Sequence, residues 1–476
     1  MRHMLTRSRL AAAATLVVTA GSLSFMLGCS SMTDSLLEAN DPDLILPGNV
    51  NNAQGAQALY IGAIGRLRTS TAATSGLQEP EFLFSGLLAD EWSTSSTFVQ
   101  NDEVDERNIK LNNSSVRDQF RELERVRTAA NQAIAALNEF LPNEKTKIAE
   151  MYFARGFAEM QLAQDYCNGI PLSDGTQEDY TTGLGTPLTV AEVFARAIAS
   201  YDSALTFAAG TDAASIDITR AARVGKARAL LGIDKVAEAA ALVSVANVPT
   251  SYSYDVTMST GGGSNAIWGQ ATSSRRYTVS DSLEGNARNL LVKNVIPFFS
   301  AKDPRLPVKY TISAKGDTTK SQDGFTFSRT TSLWNQTTPV PLVSGLDARL
   351  IEAEGRLRAA DYPGMMTILN GLRAAGLKIG EIQLKTTDLP PLAVPATAAE
   401  AEQLYFREKA FWTFSRGQRL GDLRRLIRFY PGHTPENTFP VGEHYRGGEY
   451  GPDVNLPVPT DELTNPNFTG CIDRNA

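Results

Sequence analysis

The sequence feature that most constrains the fold is a helical pattern that returns several times along the chain. In residues 189–208, TVAEVFARAIASYDSALTFA, apolar side chains recur at the 3.6-residue period of an amphipathic helix, from Val190 to Leu205. Thr189 and Glu192 have capping-box spacing, which marks the start of this helix. A helix with one apolar stripe buries that stripe against a neighbour, so several such helices predict a packed helical array.

Three further stretches each predict two helices joined by a short break. They are residues 114–166, residues 217–247 with a break at 232–234, and residues 346–377 with a break at 361–364. One hairpin cannot bury both of its faces, whereas stacked hairpins share a continuous core. The predicted fold class is therefore mainly α, a tetratricopeptide-like array of helical hairpins with a large irregular insertion of loops and short strands.

The insertion covers residues 249–341, where the composition changes to Gly, Ser, Thr and Tyr. Short alternating pieces such as residues 308–312 predict small strands joined by turns. Loops held on a rigid scaffold are where binding residues usually lie. The other predicted boundaries are 49–248 and 342–430 for the N- and C-terminal hairpins and 431–476 for an extended surface tail, with 49–476 forming one globular unit.

The N-terminus has the layout of a secretory signal peptide over residues 1–28. Three arginines precede an apolar run, and the run closes on Leu27-Gly28-Cys29, which is similar to a bacterial lipobox. We expect cleavage before Cys29, lipidation of Cys29, a tether over residues 29–48, and an outer-membrane location. A spanning helix is the alternative, since about 18 apolar residues could just cross a bilayer.

The net charge indicates which partners to expect, and the cysteines indicate the cellular compartment. Loss of residues 1–28 leaves 42 basic and 52 acidic residues, and a net charge near −10 disfavours nucleic acid as a partner. With Cys29 carrying lipid, Cys167 and Cys471 form an even pair in an oxidising compartment. We expect them to form a disulfide, and two buried free thiols are the alternative.

Five motifs follow one another along the chain. They are ARGFA at 154–158 with DYCNGIPL at 165–172, KDPRL at 302–306, DARLIEAE at 347–354 with LNGLRAAGL at 369–377, FRE at 406–408 with GQR at 417–419 and DLRR at 422–425, and LPVP at 456–459 with Glu462 and Asn465-Pro466. Together and in this order they resemble the motifs of the SusD/RagB family of outer-membrane nutrient-binding lipoproteins. Leu420-Gly421, Gly156 and Cys167 depart from the family pattern. The resemblance covers nearly the whole mature chain.

This resemblance implies a function as well as a fold. Such a protein captures a nutrient outside the cell, usually an oligosaccharide and in some members a peptide, and passes it to a SusC-like TonB-dependent outer-membrane transporter. It is anchored to the outer membrane by its N-terminal lipid and faces the cell exterior. We predict no cofactor. The alternative is a lipid-anchored tetratricopeptide-like scaffold that binds proteins and no nutrient.

Catalysis has little support in the sequence. After loss of the leader the histidines are His433 and His444, and no G-x-S-x-G nucleophile motif accompanies them. No zinc-ligand spacing or EF-hand loop stands out, so we predict no enzyme and no metal. The run Arg416, Arg419, Arg424, Arg425 and Arg428 could form a phosphate patch, but its spacing spreads it over a helix and favours structural pairing with glutamates and helix-end carbonyls.

Sugar rings stack on flat aromatic side chains, while their hydroxyls need amide, carboxylate or arginine partners. Three tryptophans lie in polar, loop-like surroundings, namely Trp92, Trp268 and Trp334, whereas Trp412 lies in a helical pattern and is predicted to be core. The predicted ligand residues are Trp268 with Asn265, Gln270, Arg276 and Tyr277 around it, then Trp92 and Trp334. The alternative for each tryptophan is an anchor for its own loop.

Overall fold

Every predicted hairpin is present as a pair of helices in the computed structural model, which describes residues 51–73, 79–173 and 183–476. The predicted leader, Cys29 and the tether at 29–48 lie outside these described residues. The helices are α1 (Ala53–Thr71), α2 (Glu81–Leu88), α3 (Val99–Asp105), α4 (Ser114–Phe140), α5 (Lys145–Asp165), α6 (Val190–Phe207), α7 (Ala213–Leu231), α8 (Val236–Leu242), α9 (Ala266–Trp268), α10 (Gly345–Arg358), α11 (Tyr362–Ala374), α12 (Ala398–Trp412), α13 (Arg419–Phe429) and α14 (Pro435–Thr438). The prediction of a mainly helical fold is confirmed.

Local capping fixes where several helices begin. The predicted capping box is present at α6, where the Thr189 hydroxyl accepts from the Glu192 N–H and the Glu192 carboxylate accepts from the Thr189 N–H. At α11 the Asp361 side chain accepts from the Gly364 N–H, so Pro363 lies in the first helical turn. Proline fits there because the first-turn N–H groups have no intrahelical acceptor. The break therefore falls before residue 362, slightly earlier than predicted.

Successive long helices pack side by side, α4 on α5, α5 on α6 and α6 on α7. Gly156 permits the close contact of α5 with α6, since a Cβ at this position would lie 3.1 Å from the Ser200 Cβ. Phe153 and Phe157 on α5 are fully buried at this contact and belong to the continuous hydrophobic core. The C-terminal helices join the same core, because α10 packs against α8, α11 and α12.

Within the described residues the strands form two-stranded antiparallel pairs. The strands are β1 (Trp92–Thr94), β2 (Ile170–Pro171), β3 (Pro187–Leu188), β4 (Ser253–Val256), β5 (Tyr277–Val279), β6 (Leu283–Glu284), β7 (Leu290–Leu291), β8 (Val308–Tyr310), β9 (Arg329–Thr331), β10 (Val340–Ser344), β11 (Lys378–Ile379) and β12 (Ile382–Gln383). The pairs are β1–β5, β2–β3, β4–β10, β6–β7, β8–β9 and β11–β12. Because β4 near the start of the insertion pairs with β10 at its end, the insertion leaves and rejoins the array at one place.

Residues 454–459 of the C-terminal tail are buried, in contrast to the predicted extended surface tail, whereas most of residues 460–476 are exposed or partly exposed. Leu456 is fully buried, and its backbone bonds to the exit of α5, with the Cys167 N–H donating to the Leu456 carbonyl at 2.9 Å. Cys167 and Cys471 are joined by a disulfide. Apolar side chains alternate with the prolines of LPVP, so this segment packs inward instead of following the surface. Residues 51–476 form one compact unit, and no helix in the described part of the chain is long and apolar enough to cross a membrane.

Candidate functional site

Trp268 lies in an irregular segment of the insertion. Helix α9 is followed at once by a π-helical turn, Gly269–Ser273. Single π turns are uncommon, and those that occur are often found at functional sites. Two residues later Arg275 has a φ of 55°, a left-handed backbone that is uncommon for arginine. Trp268 is partly exposed, whereas Ile267 beside it is fully buried and anchors the segment.

Backbone hydrogen bonds join this segment to two other loops. The Ser95 N–H donates to the Arg276 carbonyl at 2.8 Å, the Gln322 N–H to the Arg275 carbonyl at 3.1 Å, and the Asp323 N–H to the Ser95 carbonyl at 3.1 Å. We refer to residues 95–99, 268–276 and 321–325 together as the insertion surface. Three stretches distant in sequence therefore meet in one place.

The insertion surface presents aromatic side chains beside a cation. The Arg276 guanidinium lies 4.2 Å from the centroid of the Phe98 ring, and both side chains are partly exposed. Phe325 is 54% exposed, and its turn is held by Asp323, whose carboxylate accepts from the Phe325 N–H at 2.9 Å. Exposed ring faces next to polar groups have the chemistry that binds a sugar ring and its hydroxyls.

Arg446 supports this surface from the C-terminal part of the chain. It donates to the Ser96 carbonyl at 2.7 Å and forms ion pairs with Asp102 at 3.3 Å and Asp323 at 3.2 Å. Partial burial raises the pKa of Asp102 to about 6, although the charge of Arg446 opposes this shift. Arg446 thus connects the loop at 95–99 to the loop at 321–325, which limits how far the two loops can move apart.

Two of the predicted tryptophans are buried and cannot contact a ligand at the surface. Trp92 is 1% exposed, and its Nε1 donates to the Ser415 hydroxyl at 3.1 Å. Trp334 is 3% exposed. The polar neighbours of Trp92 indicated a loop, but Ser93 and Thr94 are themselves buried and hydrogen-bonded. Asn335, beside Trp334, is exposed, although the Trp334 ring is not. Both tryptophans anchor their own segments, which corrects their assignment as ligand contacts.

Asn265 and Tyr277 are also corrected. Asn265 is fully buried, accepts from the Trp268 N–H at 3.0 Å and donates to the Thr338 carbonyl at 2.9 Å, so its amide caps α9. Tyr277 is fully buried, and its hydroxyl donates to Glu79. These two residues shape the segment that carries Trp268 without reaching the surface.

Trp268, Gln270 and Arg276 are the predicted ligand residues that remain partly exposed, and all three lie in the insertion surface. Phe98 and Phe325 were not predicted. The Asp323-Gly324 pair is a turn signal that could have placed Phe325 at an exposed tip. Nothing local to Phe98 indicates that Arg276 stacks on it, because the two residues are far apart in sequence.

The backbone as a whole is similar to several solved structures. A SusD-like carbohydrate-binding protein from Bacteroides fragilis matches with a TM-score of 0.64 at 12% identity, over 88% of this chain and 99% of its own. The chain has a SusD-like fold. A SusD superfamily protein from Bacteroides vulgatus gives 0.60 at 14% identity, over 88% and 98% of the two chains, and one from Bacteroides thetaiotaomicron gives 0.60 at 14%, over 89% and 100%.

A scan against protein-family models finds no match, and a search of curated proteins finds none either. The fold is therefore recognised by comparing three-dimensional structures, because the sequence identity to these proteins is too low for a sequence match. It agrees with the resemblance that the five ordered motifs carry.

The arginine run belongs to the SusD-like scaffold and forms no exposed phosphate patch. Four of its five members are buried. The partners are Asp347 for Arg416 at 2.7 Å, Asp90 for Arg419 at 2.6 Å, the carbonyls of Ala163 and Gln164 for Arg424, Glu354 and Asp422 for Arg425, and the Gly232 carbonyl for Arg428. The predicted pairing with helix-end carbonyls is confirmed, but three of the four carboxylate partners are aspartates and not the predicted glutamates.

The two histidines have structural partners within the SusD-like fold. His433 bonds to Glu402 and Thr438. His444 is 1% exposed and lies 3.3 Å from the Asp105 carboxylate. Burial lowers the pKa of His444, but the hydrogen bond and the charge of Asp105 outweigh it and raise the pKa above its ordinary value. Among the described residues, no group of three or more His, Cys, Asp or Glu side chains is arranged to hold a metal ion.

Proposed function

We propose that this chain is a non-catalytic surface receptor that binds an oligosaccharide at the insertion surface. The observation that carries the proposal is the SusD-like fold, which extends over 88% of the chain and is shared with a carbohydrate-binding protein. The exposed aromatic side chains of the insertion surface support it, since they supply the apolar walls that a sugar ring needs.

Each residue of the surface has a stated role in this proposal. Trp268 and Phe325 provide faces for sugar rings, and Arg276, held over Phe98, donates hydrogen bonds to hydroxyls. The π turn and the left-handed Arg275 preorganise the Trp268 segment, which lowers the entropy lost on binding.

The receptor acts at the outer membrane in this proposal. The signal-peptide layout and the Leu27-Gly28-Cys29 motif support lipidation at Cys29, with the body facing the cell exterior. Acyl chains contribute roughly 0.8 kcal/mol of membrane affinity for each buried methylene, so more than one chain makes a stable anchor. The partner that would take the ligand onward is a SusC-like TonB-dependent transporter.

A glycan array followed by calorimetry on the hits tests the binding step. The expected result is saturable binding of one oligosaccharide class, with ligand recovered chemically unchanged after long incubation. Recovery of cleaved product would contradict the non-catalytic role, and binding of peptides alone would move the ligand class from glycans to peptides.

A pull-down from detergent-solubilised outer membrane, using tagged full-length protein, tests the partner. Recovery of a barrel transporter of TonB-dependent size is the expected result. A Cys29→Ser variant is the matched control, since it should remain folded and leave the membrane fraction. Recovery of surface or periplasmic proteins without a transporter would favour the scaffold function instead.

A further inference from the structure

The insertion surface carries an excess of exposed positive charge. Its ionisable side chains are Arg275, Arg276 and Asp323, and Lys320 lies immediately before its third loop. Arg275 and Arg276 are partly exposed and Lys320 is exposed, whereas only 6% of the Asp323 side chain is exposed. Three cations therefore reach the solvent here, while the one carboxylate of these loops is mostly buried.

Asp323 does not neutralise these cations, because it is paired with another residue. Asp323 and Asp102 share the guanidinium of Arg446, at 3.2 and 3.3 Å. This group of three leaves one negative charge against the three exposed cations. In the described part of the chain, none of the three cations forms an ion pair with a carboxylate.

A second carboxyl group, that of Glu79, is buried and mostly protonated. Glu79 accepts hydrogen bonds from the Tyr277 hydroxyl and, at 3.0 Å, from the Asn101 amide. Burial raises the pKa of Glu79 to about 8, although Asn101 and the charge of Arg276 oppose the shift. At neutral pH Glu79 is therefore mostly uncharged and compensates little of the charge of Arg276.

The two arginines also have unused hydrogen-bond donors that face the solvent. Within the described residues the Arg276 guanidinium forms one hydrogen bond, from Nη1 to the Ser96 hydroxyl at 3.5 Å. Its Nε and Nη2 have no acceptor there and remain accessible to solvent. The Nε of Arg275 is buried, so only the two terminal nitrogens of Arg275 are available to a ligand, and they too have no acceptor in this part of the chain.

The cations lie beside the exposed rings. The Arg276 guanidinium lies over the Phe98 ring, and the Lys320 Nζ donates to the Phe325 carbonyl at 2.9 Å. The backbone hydrogen bonds that join the three loops hold both pairs on one surface. A ligand that covers an exposed ring therefore also comes within reach of a cation.

On the basis of the receptor function proposed above, we infer that the ligand is an acidic oligosaccharide, whose sugars carry carboxylate or sulfate groups. A guanidinium group binds an oxyanion through charge-assisted hydrogen bonds, which are about twice as strong as bonds between neutral groups. The rings of Trp268 and Phe325 bind the apolar faces of the sugars, and the cations bind their anionic groups. A neutral oligosaccharide leaves the charge of the cations uncompensated.

The acidic net charge of the whole chain, −7, does not prevent this recognition. At physiological ionic strength the Debye length is about 8 Å, so carboxylates farther away than this are largely screened. A ligand in contact with the insertion surface therefore experiences mainly the local cations.

A glycan array that pairs each acidic oligosaccharide with its neutral counterpart tests the inference on the wild-type protein. Oligogalacturonides and oligomannuronates are paired with their carboxyl-reduced forms, and sulfated galactan oligosaccharides with their desulfated forms. In each pair that gives binding, calorimetry should show a Kd at least about tenfold lower for the acidic member. Equal or tighter binding of the neutral members overturns the acidic class and leaves the receptor function intact, whereas binding of no glycan overturns the receptor function itself.

The ionic strength gives a second measurement on the same pairs. Raising it from about 0.01 M to about 1 M shortens the Debye length from about 30 Å to about 3 Å. The affinity for the acidic member should fall about tenfold, while the affinity for the neutral member should change less than about twofold. Affinities that change equally would contradict recognition by charge.

Arg276→Gln assigns the recognition to a residue. The Kd for the acidic member should rise about tenfold, and the Kd for the neutral member should rise less than about twofold. Arg407→Gln is the matched control, because Arg407 is an exposed arginine that lies 5.2 Å from the Phe411 ring, outside the insertion surface. It should change neither Kd.

An equal loss of affinity for both members in Arg276→Gln would overturn the role of its charge. If this variant does not fold, Lys320→Gln at an exposed position should produce a smaller loss that is again confined to the acidic member. Unchanged affinity for the acidic member in both variants would overturn the assignment to these cations.

Discussion

The C-terminal helices and the insertion use arginine in opposite ways. Around α12 and α13 most arginines are buried, although Arg407 is exposed and Arg428 is partly buried. Most of them have carboxylate partners, as Arg305 and Arg373 do when they share Glu408 at 2.8 and 2.9 Å. At the insertion surface Arg276 is partly exposed and lies over the Phe98 ring. The first arrangement fixes one geometry, whereas the second leaves polar donors and ring faces available to a ligand.

This difference separates scaffold from site. Residues that form conspicuous sequence motifs, such as DLRR at 422–425, hold helices together. The residues available for binding come from loops whose sequences carry no motif. Predictions about the first region therefore concern stability, and predictions about the second concern affinity.

The largest expected effect is at Glu408. Glu408→Ala would leave Arg305 and Arg373 buried without their shared carboxylate, since these side chains are 1% and 7% exposed. We expect a loss of about 4 kcal/mol in the free energy of unfolding, measured by denaturant titration. The control Gln403→Ala, at an exposed position of α12, should change it by less than about 0.5 kcal/mol. Equal effects of the two variants on the free energy of unfolding would show that the ion pairs of Glu408 do not stabilise the fold.

The next expected effect is a pH dependence of stability that comes from Glu91. Glu91 precedes β1 and accepts from the Ser415 N–H at 2.8 Å. Burial raises the pKa of the Glu91 carboxyl to about 8, and the Ser415 N–H opposes this shift. The folded state keeps a proton that the unfolded chain loses above pH 4.5, so this stabilisation is complete below pH 4.5 and is lost as the pH rises through about 8.

Glu91→Gln keeps the shape of this side chain and cannot ionise. Unfolding curves recorded from pH 5 to pH 9 should show a decline of about 4 kcal/mol in the wild type that the variant lacks. Parallel curves for the two proteins would mean that Glu91 is ionised in the folded state throughout this range.

A smaller effect belongs to the disulfide. In a Cys29→Ser background, thiol titration of the denatured, unreduced protein should find no free thiol. Replacing Cys167 and Cys471 with serine should cost about 2 kcal/mol, because the tail is also held by Asn168 and Asn455, which donate to Asp473 and Arg474. Two free thiols in the titration would contradict the pairing.

The sequence predicted much of the scaffold and little of the site. Helical periodicity located α4 to α7, α10 and α11, because the buried face of each helix gives its own sequence segment an apolar repeat of 3.6 residues. Trp92 was misplaced because the polar residues beside it do not reveal that their own hydrogen bonds are made inside the protein. Trp334 was misplaced because its neighbours Ser332 and Asn335 are exposed while its ring is buried. Arg276 was predicted as a ligand residue, but Phe98 was not, because the contact between them joins loops nearly 180 residues apart, which neither period nor propensity encodes.

The most direct test of the central claim is ligand affinity at the insertion surface, once a binding oligosaccharide is known. Phe325→Ala removes a ring that is 54% exposed, so stability should change by less than about 0.5 kcal/mol while Kd rises about tenfold. Trp268→Ala should weaken binding at least as much, and Val394→Ala, at a 52% exposed site outside the surface, should leave Kd unchanged. Unchanged affinity in both aromatic variants would contradict this location of the site.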